Sequence, residues 1–217
     1  MQPDRALLTR KVQITRIIPL SLIIAICTSP LAGCGGGASA VNHYVIDPIA
    51  ETSYSATSTD SQMAIEIVDL SVPQYLERSP IATREGGNRI AFSQSNRWGE
   101  NLRKNLMRTL ARNLAILLQS DDIGTPLSRS SSKPDFRLQA HIEQFERDAS
   151  GVIQLRARWH LTKGGAGEPL DSYSAELSAN SGLDSGNYDA MVADMQSLFG
   201  ELSTRIAETI SAAAGGD

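Results

Sequence analysis

The chain of 217 residues is poor in the residue types on which catalytic and cofactor chemistry depends. It has two cysteines, three histidines and 5% aromatic residues. The G-x-S-x-G, phosphate-loop, G-x-G-x-x-G and H-E-x-x-H motifs do not occur in it, and its glycine clusters are explained as a tether and turns. We therefore expect a protein that is not an enzyme and that needs no cofactor.

The first 34 residues have the composition of a secretory signal that ends in a lipidation site. Four basic residues come first, residues 17–27 are almost wholly apolar, and the sequence LAGC occupies positions 31–34. Small residues before Cys34 suit signal cleavage, and the segment resembles the signal of bacterial lipoproteins. The alternative is an uncleaved membrane anchor, because the run 17–33 is at the lower edge of spanning length. Ser29 and Pro30 interrupt that run and a glycine-rich segment follows it, which favours acylation of Cys34.

Cleavage before Cys34 divides the chain into three parts. Residues 1–33 are the predicted signal peptide, residues 34–42 a lipidated flexible tether, and residues 43–217 a single periplasmic domain. From residue 34 onward the chain carries 16 basic and 23 acidic side chains, a formal charge of −7, so we expect no nucleic-acid partner. Cys27 leaves with the signal and Cys34 is blocked by lipid, which excludes disulfide and zinc-thiolate chemistry in the domain.

The lipidated cysteine also predicts a place in the cell envelope. Several acyl chains anchor a protein far more firmly than one. We therefore expect acylated Cys34 to bind the protein to a membrane. The residue after Cys34 is Gly35, whereas an aspartate there retains lipoproteins at the inner membrane of enterobacteria. By analogy we expect anchoring at the outer membrane, facing the periplasm. Inner-membrane anchoring is the alternative, because that rule varies between bacteria.

Apolar runs and alternating patterns predict the strands of the folded part. Residues 63–72 are apolar at both alternating positions, which predicts a strand covered on both faces. Gly86 and Gly87 predict a hairpin turn, and a phase shift at Glu143-Gln144 predicts a bulge. Residues 50–62 are rich in serine and threonine, which is typical of a loop. The predicted strands are 43–46, 63–72, 81–84, 89–92, 136–142, 153–161 and 170–177.

Two apolar stripes at helical spacing predict two amphipathic helices, over residues 97–119 and 188–210. Ser95 or Asn96 is the expected cap of the first helix. Its outer face is basic and that of the last helix is acidic. The basic face is either a solvated surface or a binding strip. The elements together predict an α+β fold, a mainly antiparallel sheet of about five strands with two amphipathic helices packed on one face.

Two groups of titratable residues are candidate chemical sites. His141, His160 and Glu143 could form a minimal metal site if paired strands brought the two histidines together. Surface or hydrogen-bonded histidines are the simpler explanation, so we expect no metal. Asp121 and Asp122 adjoin a glycine in a loop and are most simply exposed, whereas a glycosidase needs two carboxylates across a cleft.

Five short sequence motifs occur along the chain. They are VPQYLERSPIATR (72–84), NRIAF (88–92), RWGENL (97–102), ARWHL (157–161) and YDAMVADMQSLFGELSTRIAETI (188–210). This ordered set, behind a lipidation signal, resembles the PqiC family, the lipoprotein auxiliary components of MCE-type ABC transport systems. The resemblance covers most of residues 42–210, and residues 47–62 show no family signature.

The resemblance implies a non-catalytic auxiliary lipoprotein. It implies, as partners, an inner-membrane MCE protein with its permease and ATPase, and an activity that helps move lipids or other hydrophobic molecules between the two membranes and maintains the envelope. It also implies a ring-shaped homo-oligomer. The alternative is a structural or assembly lipoprotein of another outer-membrane machine, such as a lipopolysaccharide exporter. Candidate partner contacts are the family-motif residues Tyr75, Leu76, Arg78 and Arg84 and the basic-face residues Lys104, Arg108 and Arg112.

Overall fold

A computed structural model describes residues 40–50, 63–130, 132–164, 167, 169–180 and 186–215. The signal peptide, Cys34, the first part of the tether and nearly all of the predicted loop 50–62 lie outside the described residues. Within them the chain forms eight strands and two helices. The strands are β1 (Asn42–Tyr44), β2 (Ile65–Ser71), β3 (Pro80–Glu85), β4 (Arg89–Trp98), β5 (Ile123–Gly124), β6 (Phe136–Arg147), β7 (Val152–Lys163) and β8 (Pro169–Asn180), and the helices are α1 (Leu102–Leu118) and α2 (Tyr188–Ala214).

The sheet is built around the long strand β6. One edge of β6 pairs antiparallel with β7, which pairs antiparallel with β8. The other edge is shared, because its first half pairs parallel with β2 and Arg147 at its end pairs with Thr83 of β3. Beyond them β5 extends β2, while β4 and β1 extend β3.

The predicted α+β class is confirmed, but the sheet is mixed rather than mainly antiparallel. Four of the seven strand pairings in the described part of the chain are parallel. The parallel partners are far apart in the sequence, so hydrophobic periodicity carried no signal for them. The hairpin of β3 and β4 is confirmed, with Gly87 at a φ of 71°, as is the bulge beside Gln144.

The prediction that β2 is covered on both faces was wrong. The register with β6 shifts between Ile67 and Asp69, which marks a bulge. This irregularity puts Leu70 on the buried side with Ile65 and Ile67, while Val68 is exposed. Residues 63–72 are apolar at both alternating positions because the bulge reverses which positions face the core. The strand therefore has a single buried face.

Both helices cover the apolar face of the sheet. The core side chains of β7 (Ile153, Leu155, Ala157, Trp159 and Leu161) are buried and their neighbours face outward, as predicted. The helices contact each other, α1 contacts β2 and β5, and α2 contacts β6, β7 and β8. Helix α1 begins later than predicted, because β4 continues to Trp98, and Asn101 is its cap in place of Ser95 or Asn96. Among the described residues no helix is long and apolar enough to cross a membrane.

Candidate functional site

The segment between β2 and β3 is a compact turn with one side chain in the core. The amide of Leu76 donates a hydrogen bond of 2.9 Å to the carbonyl of Pro73. Leu76 itself is 2% exposed and belongs to the hydrophobic core. A side chain buried to this degree has no surface to offer, so Leu76 is not retained as a candidate partner contact.

Two other candidate residues of the motif, Tyr75 and Arg84, contact a buried carboxylate. Glu146 on β6 has no exposed surface. Its Oε1 accepts from Arg84 Nε at 2.8 Å, and its Oε2 accepts from the Tyr75 hydroxyl at 2.8 Å and from the Phe145 amide at 3.1 Å. A buried charge that is paired and hydrogen-bonded in this way is tolerated inside a protein. We call Tyr75, Arg84 and Glu146 the carboxylate cluster.

The electrostatics of the cluster keep Tyr75 and Arg84 in fixed protonation states. Burial raises the pKa of Tyr75 above its usual range, and the hydrogen bond to Glu146 raises it further. The hydrogen bond to Glu146 also raises the pKa of Arg84. Tyr75 is therefore a neutral donor and Arg84 a cation throughout the physiological range. The cluster fastens the turn and β3 onto β6, which is a structural task.

Arg78 is the one exposed residue among the four candidate contacts of the motif, Tyr75, Leu76, Arg78 and Arg84. Its guanidinium lies over the ring of Phe92 on β4, 4.1 Å from the ring centroid, which is a cation–π geometry. Arg78 is exposed in the single chain, so among the four motif residues it is best placed to meet a partner.

A polar column on α1 is a second feature, and the sequence analysis missed it. Asn105 accepts from the Ile46 amide at 2.7 Å and donates to the Ile46 carbonyl at 3.0 Å. One turn later Thr109 donates to the same carbonyl, and Asn113 accepts from the amide of Ile49. The spacing of four residues beside the leucine stripe was the available signal. This column holds the chain that leaves β1 against the helix.

Replacing Asn105 with alanine is expected to reduce the free energy of unfolding by about 2 kcal/mol, because both backbone groups of Ile46 lose a buried partner. Urea unfolding followed by circular dichroism measures the change. The exposed Asn88 provides the matched control, and Asn88→Ala should stay within about 0.5 kcal/mol. Equal effects of the two substitutions would contradict a clamping role for the column.

The predicted basic face of α1 exists and is exposed. Lys104, Arg108 and Arg112 are all exposed and lie along one side of the helix. Arg108 forms a two-pronged ion pair with Glu100, including a bond of 2.9 Å from Nη1. The hydrogen bond from Arg108 lowers the pKa of Glu100. The basic face borders a groove of about 450 Å³ between α1 and residues 121–128.

The histidines do not form a metal site with the residues that the structure describes. His141 and His160 lie on the exposed face of the sheet, one diagonal step apart on β6 and β7. Instead, Nδ1 of His141 forms a hydrogen bond of 2.7 Å with the Ser71 hydroxyl, and Nδ1 of His160 forms one of 2.8 Å with the Ser172 hydroxyl. Glu143 is paired with Arg158. No group of three potential ligands occurs in the described ranges.

Comparison with known proteins places the chain among relatives of the same fold. Residues 44–207 match the family model for the ABC-type transport auxiliary lipoprotein component. A crystal structure of an uncharacterized protein aligns with a TM-score of 0.62 at 18% identity, covering 79% of this chain and 99% of the other. A crystal structure of a Xanthomonas campestris protein aligns with a TM-score of 0.58 at 14% identity, covering 78% and 91%. At these identities the likeness concerns the fold. The comparison with curated proteins returned no match.

Proposed function

The chain belongs to the family of ABC-type transport auxiliary lipoprotein components, and from this premise we propose that it assists an MCE-type transporter. In this proposal the domain is anchored by acylated Cys34 at the outer membrane and meets, in the periplasm, an MCE protein that is served by an inner-membrane permease and ATPase. The system moves lipids or other hydrophobic molecules between the membranes. The family assignment over residues 44–207 is the observation that carries the proposal.

The buried ionisable groups of the described residues support an auxiliary role rather than an enzymatic one. The buried Glu146, for example, is hydrogen-bonded to Tyr75 and Arg84 within the domain. These bonds hold the fold together. The sequence has no phosphate loop, so the energy for transport has to come from a separate ATPase. We therefore propose that the domain works by binding and positioning.

The polar column of α1 supports a tethered design. It binds the backbone of Ile46 and Ile49 just after β1, so in this proposal the distance between the anchor and the domain depends on the residues before β1. Cys34 is then the membrane end of the tether and β1 is its fixed end.

The genes that neighbour this one test the proposal at once. We expect genes for an MCE protein, a permease and an ATPase beside it. A neighbouring gene for a β-barrel assembly or lipopolysaccharide-export component would instead favour the structural or assembly role, and would contradict the transport role.

We also propose that copies of the chain associate through opposite charges. The exposed cations of α1 are one candidate surface, and the acidic residues Asp189, Glu201 and Glu208, which are exposed on α2, are the other. Such surface charges steer association and fix its register. A homo-oligomer built this way presents many anchored copies to one transporter.

Reversing the charge of Lys104, Arg108 and Arg112 to glutamate is expected to lower the molar mass measured by light scattering toward that of a single chain. Repulsion between two acidic surfaces then replaces attraction. The matched control reverses three exposed cations outside α1, Arg89, Arg129 and Lys133, which changes the net charge equally. An unchanged molar mass in the first variant, or equal losses in both, would remove charge pairing from the proposal.

A further inference from the structure

The groove beside the basic face has an apolar floor that no other described residue covers. Met107, Ala111 and Ala115 line it from α1, and Ile123 and Leu127 line it from the facing segment. Leu127 is 75% exposed, more than any other large hydrophobic residue among those described. Such an exposed leucine beside other apolar side chains is typical of a binding groove.

The groove exists because α1 carries small side chains where it faces residues 121–128. Ala111 and Ala115 are one helical turn apart on that side, and each side chain is a single methyl group. The stretch of helix from Lys104 to Ala115 that lines the groove is about 17 Å long at 1.5 Å per residue. The volume of about 450 Å³ lies within the range of roughly 300–1,000 Å³ that small ligands occupy.

The charges at the rim favour an anion. Three cations line the groove, Lys104, Arg108 and Arg112, together with two carboxylates, Glu100 and Asp121. The lining thus has an excess of positive charge, although the sequence as a whole carries a formal charge of −4. Electrostatic complementarity of this kind selects a ligand with a negative head.

From this geometry we propose that the groove binds a long-chain carboxylate, with the single acyl chain on the apolar floor and the head at the cationic rim. One acyl chain spans about 15 Å, half of a bilayer's hydrocarbon core of about 30 Å, and so fits along the groove. The meaning of such binding in the cell rests on the proposed transport function. The binding itself needs no transporter, so the two can fail separately.

A photoreactive fatty acid locates the ligand. The full-length lipidated protein is placed in vesicles of phosphatidylethanolamine and phosphatidylglycerol and labelled with a palmitate analogue that carries a diazirine near the chain end. Trypsin releases one peptide, residues 113–129, that contains Ala115, Ile123 and Leu127. We expect this peptide to carry most of the label. Unlabelled palmitate should compete for it, and a trimethylammonium amphiphile of equal length should compete weakly.

Two variants separate the floor from the rim. Ala111→Leu fills the floor and leaves the labelled peptide unchanged in mass, and it should reduce labelling about tenfold. Its control is Ala193→Leu on the exposed side of α2. Lys104→Glu should reduce labelling about fivefold, and its control is Arg89→Glu. Unchanged thermal unfolding of each variant shows that the fold is intact.

The proposal is overturned if the label spreads evenly over the surface, if palmitate fails to compete, or if Ala111→Leu labels as well as Ala193→Leu. A groove that is instead occupied by a neighbouring copy would leave peptide 113–129 without label. That result would overturn the carboxylate ligand and leave the proposed transport function standing.

Discussion

Replacing Arg84 with alanine is expected to reduce the free energy of unfolding by about 3 kcal/mol at pH 7, because it leaves the Glu146 carboxylate without its ion-pair partner inside the protein. Glu146 has no exposed side-chain surface, whereas Arg84 is 34% exposed. Water therefore reaches the position that Arg84 occupies, which places the expected cost at the lower end for breaking a buried pair. Urea unfolding at neutral pH provides the measurement.

Arg78→Ala is the matched control from the same motif. Arg78 is exposed and stacks on Phe92, so its removal should cost no more than about 1 kcal/mol. The double variant Arg84→Met with Glu146→Met should recover part of the stability, because an apolar pair can replace a buried ion pair. If Arg84→Ala and Arg78→Ala cost the same, the carboxylate cluster does not hold the motif in place, and Arg84 returns as a partner contact.

Replacing Cys34 with alanine is expected to abolish incorporation of labelled palmitate into the protein, because Cys34 is the predicted site of acylation. The variant should also retain residues 1–33, since cleavage before the cysteine follows its modification. Metabolic labelling and intact-mass measurement report both effects.

Cys27→Ala is the control for this substitution. Cys27 lies in the predicted signal peptide, so labelling and cleavage should match those of the unaltered chain. If the unaltered chain takes up no palmitate and its mass includes residues 1–33, the uncleaved anchor is the correct interpretation. A Cys34→Ala protein that still carries label would contradict acylation at this position.

The sequence predicted those elements that are determined by residues close to one another in the chain. The alternation in β7, the hairpin at Gly87, the bulge near Gln144 and the stripe of α2 each depend on neighbours within a few residues. The parallel pairings of β2 with β6 and of β1 with β4 join distant parts of the chain. Periodicity therefore could not reveal them, and the mixed sheet was missed.

The candidate site was predicted only in part for the same reason. Tyr75 and Arg84 were singled out, but their partner Glu146 is 71 and 62 residues away, and a single sequence does not show that such residues meet. Leu76 was singled out as a candidate partner contact, but the structure places its side chain in the core. Resemblance indicated which residues matter, and only the packing shows that most of this motif acts within the domain.

The measurement that bears most directly on the transport role is a crosslinking pull-down from intact cells. The full-length lipidated protein, carrying an affinity tag after residue 217, is crosslinked in the envelope and purified, and the captured proteins are identified by mass spectrometry. We expect an MCE protein to be captured, to be lost from the Cys34→Ala sample, and to be retained in the Cys27→Ala sample. Capture of a β-barrel assembly or lipopolysaccharide-export component, with no MCE protein, would contradict the proposed function.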